Sequence, residues 1–253
     1  APDDAIHPLG DGLFLASTSE RDAEHLPNLL RLTRYVTMGR KSREWLERLG
    51  ARPEAVILYS GYTPYILQLR GWCRSAGGPL IFDAVEWYTA ASPLGFVTSP
   101  YLWQTEIAMR WLLPRLDGVI AISRWLEDHY GRAGLPVVRA PPTLDVRATP
   151  EGQGGTDDRL TLVYAGTPGR KDLLGSLLEA VRLVDPAGER LRLEVYGPSS
   201  DNLARYGVGT LPPSITAHGA VPQATAMAGV AAADFSVLLR RPDKVATAGF
   251  PTK

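Results

Sequence analysis

Short, uninterrupted apolar runs alternate along the chain with segments whose apolar residues recur at helical spacing. Residues 55–59, 80–83 and 118–122 are runs of strand length that do not alternate with polar positions. Such runs are typical of strands that are buried on both faces in a parallel sheet. Residues 65–72 and 101–113 carry apolar side chains at helical spacing, which predicts helices. Strand–helix alternation of this kind predicts an α/β fold built from βαβ units.

The same pattern restarts after a stretch that is rich in glycine. Residues 149–158 contain three glycines, one proline and no large apolar residue, which predicts a linker. The elements predicted beyond the linker are strands at 160–165, 191–196, 215–217 and 235–239 and helices at 171–184 and 222–233. We therefore expect two α/β domains, residues 1–150 and residues 151–253.

Composition and charge narrow the classes of function. The chain has 27 Lys and Arg against 27 Asp and Glu, so its formal net charge is zero. This balance argues against a basic nucleic-acid binder, and we expect no nucleic-acid partner. Cys73 is the one cysteine, which fits a reducing compartment, and we expect a cytoplasmic location. The sequence has no apolar run of about 18 residues that would predict a membrane span.

The two ends of the sequence are unusual for a whole protein. It begins at Ala1 without a methionine and stops at Lys253, directly after a glycine-containing loop. We expect the chain to be a piece of a longer protein that lacks both ends of its fold.

The segment after the strand at 160–165 has the composition of an anion-binding loop. Gly166 and Gly169 permit a tight turn and close approach of the backbone to a ligand. A helix that begins near Lys171 would offer N–H groups and partial positive charge to a phosphate. Arg170 and Lys171 add two cations at the same place. The alternative interpretation is an ordinary strand–helix turn with solvated charges.

The sequence lacks the residue patterns that several other kinds of site require. Asp172 follows Lys171 where a P-loop requires Ser or Thr, and no G-x-G-x-x-G opens a helix. The four histidines are not at metal-ligand spacing, and no D-x-D follows a strand. We therefore expect no metal site.

Several segments match one enzyme family in both order and spacing. In the second half they are residues 162–167, 177–180, 193–197, 218–219, 231–238 and 249–253. In the first half they are residues 117–123 and 141–145. Together they resemble the GT-B glycosyltransferases, specifically the large retaining group known as family 4. The resemblance covers nearly the whole chain.

The resemblance implies a GT-B-like α/β fold of two Rossmann-type domains, truncated here. The first domain would bind a glycan, lipid-linked or small-molecule acceptor, and the second a nucleotide-diphosphate sugar, with the reaction in the cleft between them. Lys171 would lie on the diphosphate, with Arg170 beside it as a second candidate cation. The donor-binding residues that the resemblance suggests are Gly166, Thr167, Gly197, His218, Gly219 and Lys253.

The chemistry follows from the charge that develops on the nucleotide β-phosphate as the leaving group departs. Lysine, arginine and a helix N-terminus can stabilise that charge without a metal, so no cofactor is expected. Retention of anomeric configuration is implied by the resemblance alone. The acidic Glu-x7-Glu motif of the family has no match in this chain.

On the acceptor side, Asp83 and Glu86 follow a buried strand. Glu86 is a candidate catalytic group, and capping of the next turn is the alternative.

The segment from residue 31 to residue 52 carries seven basic residues against two acids, Glu44 and Glu47, so 7 − 2 gives +5. Trp45 and Leu46 are interleaved with these charges. The pattern fits a helix that contacts anionic lipid at the inner face of a membrane. A solvated helix face is the alternative.

Two other functions remain open. A nucleotide-sugar epimerase can use the same architecture with acidic and histidine residues at its site, for which His218 is the candidate. A two-domain protein that binds a nucleotide or sugar without catalysis is the second alternative.

Overall fold

The structure is a computed structural model that describes residues 6–18, 20, 37–50, 52–60, 62–90, 92–143, 147, 152, 158–169 and 171–250. The chain divides into two compact units. Unit 1 comprises residues 1–141 and 247–250, and unit 2 comprises residues 142–246 and 251–253. Most of the predicted linker, residues 149–158, lies outside the described residues, and the boundary predicted at residue 150 stays a prediction.

Unit 1 contains a four-stranded parallel sheet and an antiparallel hairpin. The sheet has the order β3-β4-β5-β6, and the hairpin pairs β1 with β2. The strands are β1 (Ile6–Gly10), β2 (Leu13–Ala16), β3 (Val56–Tyr59), β4 (Leu80–Ala84), β5 (Gly118–Ala121) and β6 (Val137–Arg139). The helices are α1 (Arg40–Leu49), α2 (Tyr62–Ala76), α3 (Pro93–Val97), α4 (Pro100–Ile107) and α5 (Arg124–Gly131). The hairpin was not predicted from the sequence.

Unit 2 contains a second four-stranded parallel sheet, of order β10-β7-β8-β9. Its strands are β7 (Leu160–Ala165), β8 (Leu191–Tyr196), β9 (Ile215–Gly219) and β10 (Phe235–Ser236). The helices of this half are α6 (Leu174–Val184), α7 (Ser200–Leu203), α8 (Gln223–Ala232) and α9 (Lys244–Ala248), the last of which contains residues of both units. Both parallel sheets confirm the α/β class that the apolar runs predicted.

The expectation that the strands are buried on both faces is correct only in the middle of the sheets. β4 and β5 are mostly buried, whereas Ile57 and Tyr59 of β3 are 59% and 62% exposed. Phe235 of β10 is 59% exposed. β3 and β10 stand at the ends of their described sheets, so only one neighbouring strand covers each of them.

The helix predicted at 101–113 is interrupted. The α-helical part ends at Ile107, a π-helical turn follows at Ala108–Leu112, and a 3₁₀ turn closes the segment at Leu113–Arg115. Pro114 lacks an N–H and cannot continue the helical ladder. The side chains of this segment divide between core and surface, since Met109 is fully buried and Trp111 is 63% exposed.

Ser123 caps the start of α5. The Ser123 hydroxyl accepts a hydrogen bond from the Leu126 N–H at 3.3 Å, as an N-cap does. The same hydroxyl donates to the carbonyl of Ala248 at 2.7 Å. Ser123 therefore also attaches the segment 247–250 to unit 1.

In unit 2, Asp185 organises the turn that leads into β8. Its carboxylate accepts hydrogen bonds from the N–H groups of four successive residues, 188 to 191, at 2.7–3.2 Å. These bonds, that of Arg190 foremost, lower the pKa of Asp185 below its ordinary value. The carboxylate form is therefore the one that stabilises the folded turn.

Asp185→Asn is expected to lower the melting temperature at neutral pH and to flatten its dependence on acid. Because the folded-state pKa lies below the unfolded-state pKa, the stabilisation is complete above the unfolded value and is lost as pH falls through the folded value. Melting curves from neutral pH to about pH 3 should show the wild-type chain and the variant converging at acid pH. Asp201→Asn, at an exposed position of α7, is the control. Parallel curves for wild type and Asp185→Asn would contradict this role.

Candidate functional site

Three glycines lie side by side where the strands of unit 2 end. Gly166 follows β7, Gly197 follows β8, and Gly219 is the last residue of β9. All three have positive φ angles, of 127°, 119° and 69° respectively. The N–H of Gly166 donates to the carbonyl of Tyr196 at 2.9 Å, and the N–H of Gly197 donates to the carbonyl of Gly219 at 2.7 Å. The sequence-predicted residues Gly166, Gly197 and Gly219 are thus brought together at the carboxyl edge of one sheet.

This edge leaves no room for a side chain at Gly197. A Cβ atom built there would lie 2.5 Å from the carbonyl oxygen of Gly166 and 2.9 Å from its carbonyl carbon. Glycine is therefore required both by the φ angle and by the close approach of two backbones. Ligands of open α/β sheets bind outside the carboxyl ends of the strands, which makes this edge the candidate site.

The loop between β7 and α6, residues 166–173, differs from its prediction. The helix was expected to begin near Lys171, but α6 begins at Leu174. The prediction was wrong because Asp172 forms an antiparallel bridge with Arg240 and the N–H of Leu173 donates to the carbonyl of Leu239 at 2.9 Å. These contacts hold residues 172–173 outside the helix. Lys171 is half-buried in the turn that precedes the bridge.

The remaining loop residues are placed as follows. Thr167 is exposed directly after Gly166, and Gly169 is exposed before the turn. Arg170 and Lys253, both predicted near the donor, lie outside the described residues. At the N-cap of α6, the apolar Leu173 forms no side-chain cap. The first turn of α6 therefore receives no capping oxygen from Leu173, which is compatible with an anion at this helix end.

The contacts of the Asp172 carboxylate are the feature of this loop that sequence reasoning missed. Its oxygens accept hydrogen bonds from Gly169, Tyr164 and Arg240. Burial, together with the neighbouring Asp172 charge, raises the pKa of the Tyr164 hydroxyl, which therefore stays protonated as a donor. The sequence signal was Asp172 itself, which stands where a P-loop has Ser or Thr.

His218 is engaged by protein groups on the face of the sheet. Its ring stacks on that of Tyr196, with centroids 4.2 Å apart and an interplanar angle of 5°. Its Nε2 atom lies 2.6 Å from Oε2 of Glu194. A Cβ added at Gly229 of α8 would come within 2.4 Å of the Tyr196 hydroxyl, so the Tyr196 ring lies against that helix. His218 thus contacts Glu194 and Tyr196 on the sheet face that carries α8.

In unit 1, Glu86 lies two residues beyond the end of β4 and is half-buried. Burial chiefly, with smaller contributions from Tyr101 and from the charge of Glu86, raises the pKa of Tyr62. The Tyr62 ring packs edge-on against Tyr101 at 5.9 Å. Glu86 therefore neighbours a tyrosine cluster at the carboxyl edge of the unit 1 sheet. Burial also raises the pKa of Asp83, within β4.

Backbone strain marks the same edge of unit 1. Ser60 and Tyr62 have positive φ angles of 55° and 41°, which are unfavourable for residues with a side chain. They lie directly after β3, at the start of α2. Such strain concentrates at functional sites, and no sequence pattern signalled it.

The predicted basic segment, residues 31–52, is described from residue 37 onward except for residue 51. Within α1, ion pairs join Arg40 to Glu44 at 2.7 Å and Arg43 to Glu47 at 3.3 Å. Leu46 packs against the core of unit 1. No helix among the described residues is long and apolar enough to cross a membrane.

The described part of the chain contains no group of three or more His, Cys, Asp or Glu residues that could hold a metal ion. The carboxyl edge of the unit 2 sheet presents backbone groups, and Lys171 and the start of α6 lie in the loop that follows β7. That combination suits a phosphate-bearing ligand.

No protein-family model and no curated protein sequence matches the chain. Solved structures do match it. TarM superposes with a TM-score of 0.58 at 12% identity, over 78% of this chain and 39% of TarM. A point mutant of Staphylococcus aureus TarM in complex with fondaparinux, α-GlcNAc-glycerol and UDP gives a TM-score of 0.56 at 12% identity, over 78% and 39% of the two chains.

The lipopolysaccharide outer core galactosyltransferase WaaB gives a TM-score of 0.50 at 14% identity, over 84% of this chain and 56% of WaaB. The chain therefore spans about two fifths to three fifths of the length of these structures. At such low identities the similarity defines the fold. That fold is GT-B-like, with Rossmann-type parallel sheets, as expected from the sequence.

Proposed function

We propose that the chain is part of a GT-B glycosyltransferase that transfers a sugar from a nucleotide-diphosphate donor to an acceptor. The observation that carries the proposal is the carboxyl edge of unit 2, where Gly166, Gly197 and Gly219 present their backbones beside the loop of Lys171. A flat nucleotide can approach such an edge closely because no Cβ atom projects from it. The matching solved glycosyltransferases support the same assignment through their fold.

The chemistry assigned to this edge is stabilisation of the departing nucleoside diphosphate. As the bond between the sugar and the β-phosphate breaks, negative charge grows on the phosphate oxygens. Lys171 and the start of α6 supply positive charge at that point, without the need for a metal. Arg170 and Lys253 are proposed to contribute further cations, and Thr167 and His218 to border the donor.

The finer assignment is that of a retaining enzyme related to family 4. The sequence segments given above support it, together with the order of the two α/β units along the chain. Unit 1 is proposed to bind the acceptor, with Glu86 as its candidate polar group beside the tyrosine cluster of Tyr62 and Tyr101. A cytoplasmic location, and contact of the 31–52 segment with anionic lipid, are parts of this proposal.

The proposal is tested by product analysis with UDP-, GDP- and ADP-sugars in the presence of mixed glycan and glycolipid acceptors. We expect one donor to yield free nucleoside diphosphate and a glycosylated acceptor. Conversion of a donor into its isomer without any glycosylated acceptor would instead identify an epimerase. Tight donor binding with neither product would identify a protein that binds without catalysis. Either result would overturn the transferase assignment.

A further inference from the structure

Asp172 is a buried carboxylate directly beside the candidate phosphate-binding lysine. Its side chain is 1% exposed. One oxygen, Oδ2, accepts from the Gly169 N–H at 2.8 Å and from the Tyr164 hydroxyl at 3.3 Å. The other oxygen, Oδ1, accepts from Nε of Arg240 at 3.1 Å. The donors to Asp172 therefore include a backbone amide of the loop itself.

Arg240 reaches Asp172 from a distant part of the chain. It follows β10, is separated from Asp172 by 68 residues, and has a side chain that is 12% exposed. The two residues also form an isolated antiparallel bridge through their backbones. Side-chain and main-chain contacts thus join the 166–173 loop to the segment after β10.

The charges of the Asp172–Arg240 ion pair affect whether the loop can bind an anion. An unpaired carboxylate next to Lys171 would oppose the approach of a diphosphate. The guanidinium of Arg240 balances that charge within the protein. The Gly169 N–H donates to Asp172, so a protein side chain fixes the loop backbone at this residue.

We propose that Asp172 and Arg240 are positioning residues for diphosphate binding. Their ion pair fixes the 166–173 loop in its binding conformation and cancels the charge of the buried carboxylate. This inference rests on the proposed function, since it assumes that the loop binds the diphosphate of a donor. It goes beyond that function by assigning roles to two residues that have no place in the family motif.

The test is a double-mutant cycle on the full 253-residue chain with Asp172→Asn, Arg240→Gln and the double variant. The probe is whichever of UDP, GDP and ADP the wild-type chain binds, compared with the matching nucleoside. We expect each single variant to weaken diphosphate binding by about tenfold and nucleoside binding by less than about twofold. Multiplying the fold-losses of affinity of the two single variants gives the loss expected if the residues act independently. The loss in the double variant should be at least about fivefold smaller than that product, because the double variant leaves no unpaired charge.

Two further variants separate positioning from a general loss of structure. Arg240→Lys keeps the charge and should recover part of the affinity that Arg240→Gln loses, without the full geometry of the guanidinium. Glu179→Gln removes an exposed ion pair with Arg182 on α6 and should leave diphosphate binding unchanged. If Arg240→Gln fails to fold, Asp172→Asn and Arg240→Lys are each compared with wild type, and a loss of diphosphate affinity in both is the expected result.

A second readout requires no nucleotide. Hydrogen exchange of peptides that cover residues 166–173 should be at least about fivefold faster in Asp172→Asn and Arg240→Gln than in wild type, with Glu179→Gln unchanged. Unchanged exchange in both single variants, or equal losses for diphosphate and nucleoside, would overturn the positioning role. If exchange accelerates but the wild-type chain binds no diphosphate, the loop-fixing role stands and the proposed function falls.

Discussion

Lys171→Ala is expected to weaken the binding of a nucleoside diphosphate to this chain by about 10- to 100-fold. A hydrogen bond to a charged group contributes about 1.5–3 kcal/mol, which corresponds to that range of affinity. The loss should be larger for the diphosphate than for the nucleoside, because Lys171 is assigned to the phosphates. Calorimetric titration of both ligands into the variant measures the two losses.

Lys41→Ala is the matched control for this prediction. It removes the same charge from an exposed position of α1 in unit 1 and should leave the affinity unchanged. Melting curves should show that both variants remain folded. If wild type and Lys171→Ala bind the diphosphate with equal affinity, Lys171 does not contact the phosphates. The stabilisation of phosphate charge that we assign to this loop would then be wrong.

Gly197→Ala is expected to destabilise unit 2 by about 2–6 kcal/mol and to abolish measurable nucleotide binding. The value combines about 1–3 kcal/mol for a side chain at a strained φ angle with about 1–3 kcal/mol for overpacking. The strain and the clash are both local, since φ is 119° and the new Cβ would lie 2.5 Å from the Gly166 carbonyl oxygen. Denaturant unfolding followed by circular dichroism measures the loss.

Gly71→Ala provides the control, because Gly71 lies within α2 and a Cβ there has nothing within 4 Å. It should be neutral or should stabilise the chain by about 0.5–1 kcal/mol. Hydrogen exchange locates the effect of Gly197→Ala, which should appear in peptides from β7, β8 and β9. If Gly197→Ala proves as stable as Gly71→Ala, then the close backbone approach at this edge is not a feature of the protein.

The sheets could be predicted from the sequence because their central strands are continuous apolar runs. β7 and β8 have the predicted bounds, 160–165 and 191–196, and β4 differs by one residue. β10 was predicted over 235–239 but ends at Ser236. The N–H of Val237 still donates to Val163 of β7, whereas Leu239 accepts a hydrogen bond from the N–H of Leu173. That partner is distant in sequence, so no local pattern could indicate it.

The candidate site was predictable where it depends on glycine and lysine within a strand–turn–helix pattern. Gly166 and Lys171 were predicted in this way, and the resemblance to a known family suggested Gly197 and Gly219. The contacts of Asp172 with Arg240 and of Glu194 with His218 were not predictable, because each joins residues that are far apart in sequence. The strain at Ser60 and Tyr62 was also missed, since it depends on dihedral angles that residue types do not specify.

The most direct test of the account is calorimetric titration of UDP, GDP and ADP into the wild-type chain, with the three nucleosides as controls. UDP is the first probe, because the TarM variant structure of matching fold contains it. We expect one diphosphate to bind with a millimolar or tighter dissociation constant and more tightly than its nucleoside. A demonstrably folded chain that binds none of the three diphosphates would contradict the assignment of the unit 2 edge as a donor site.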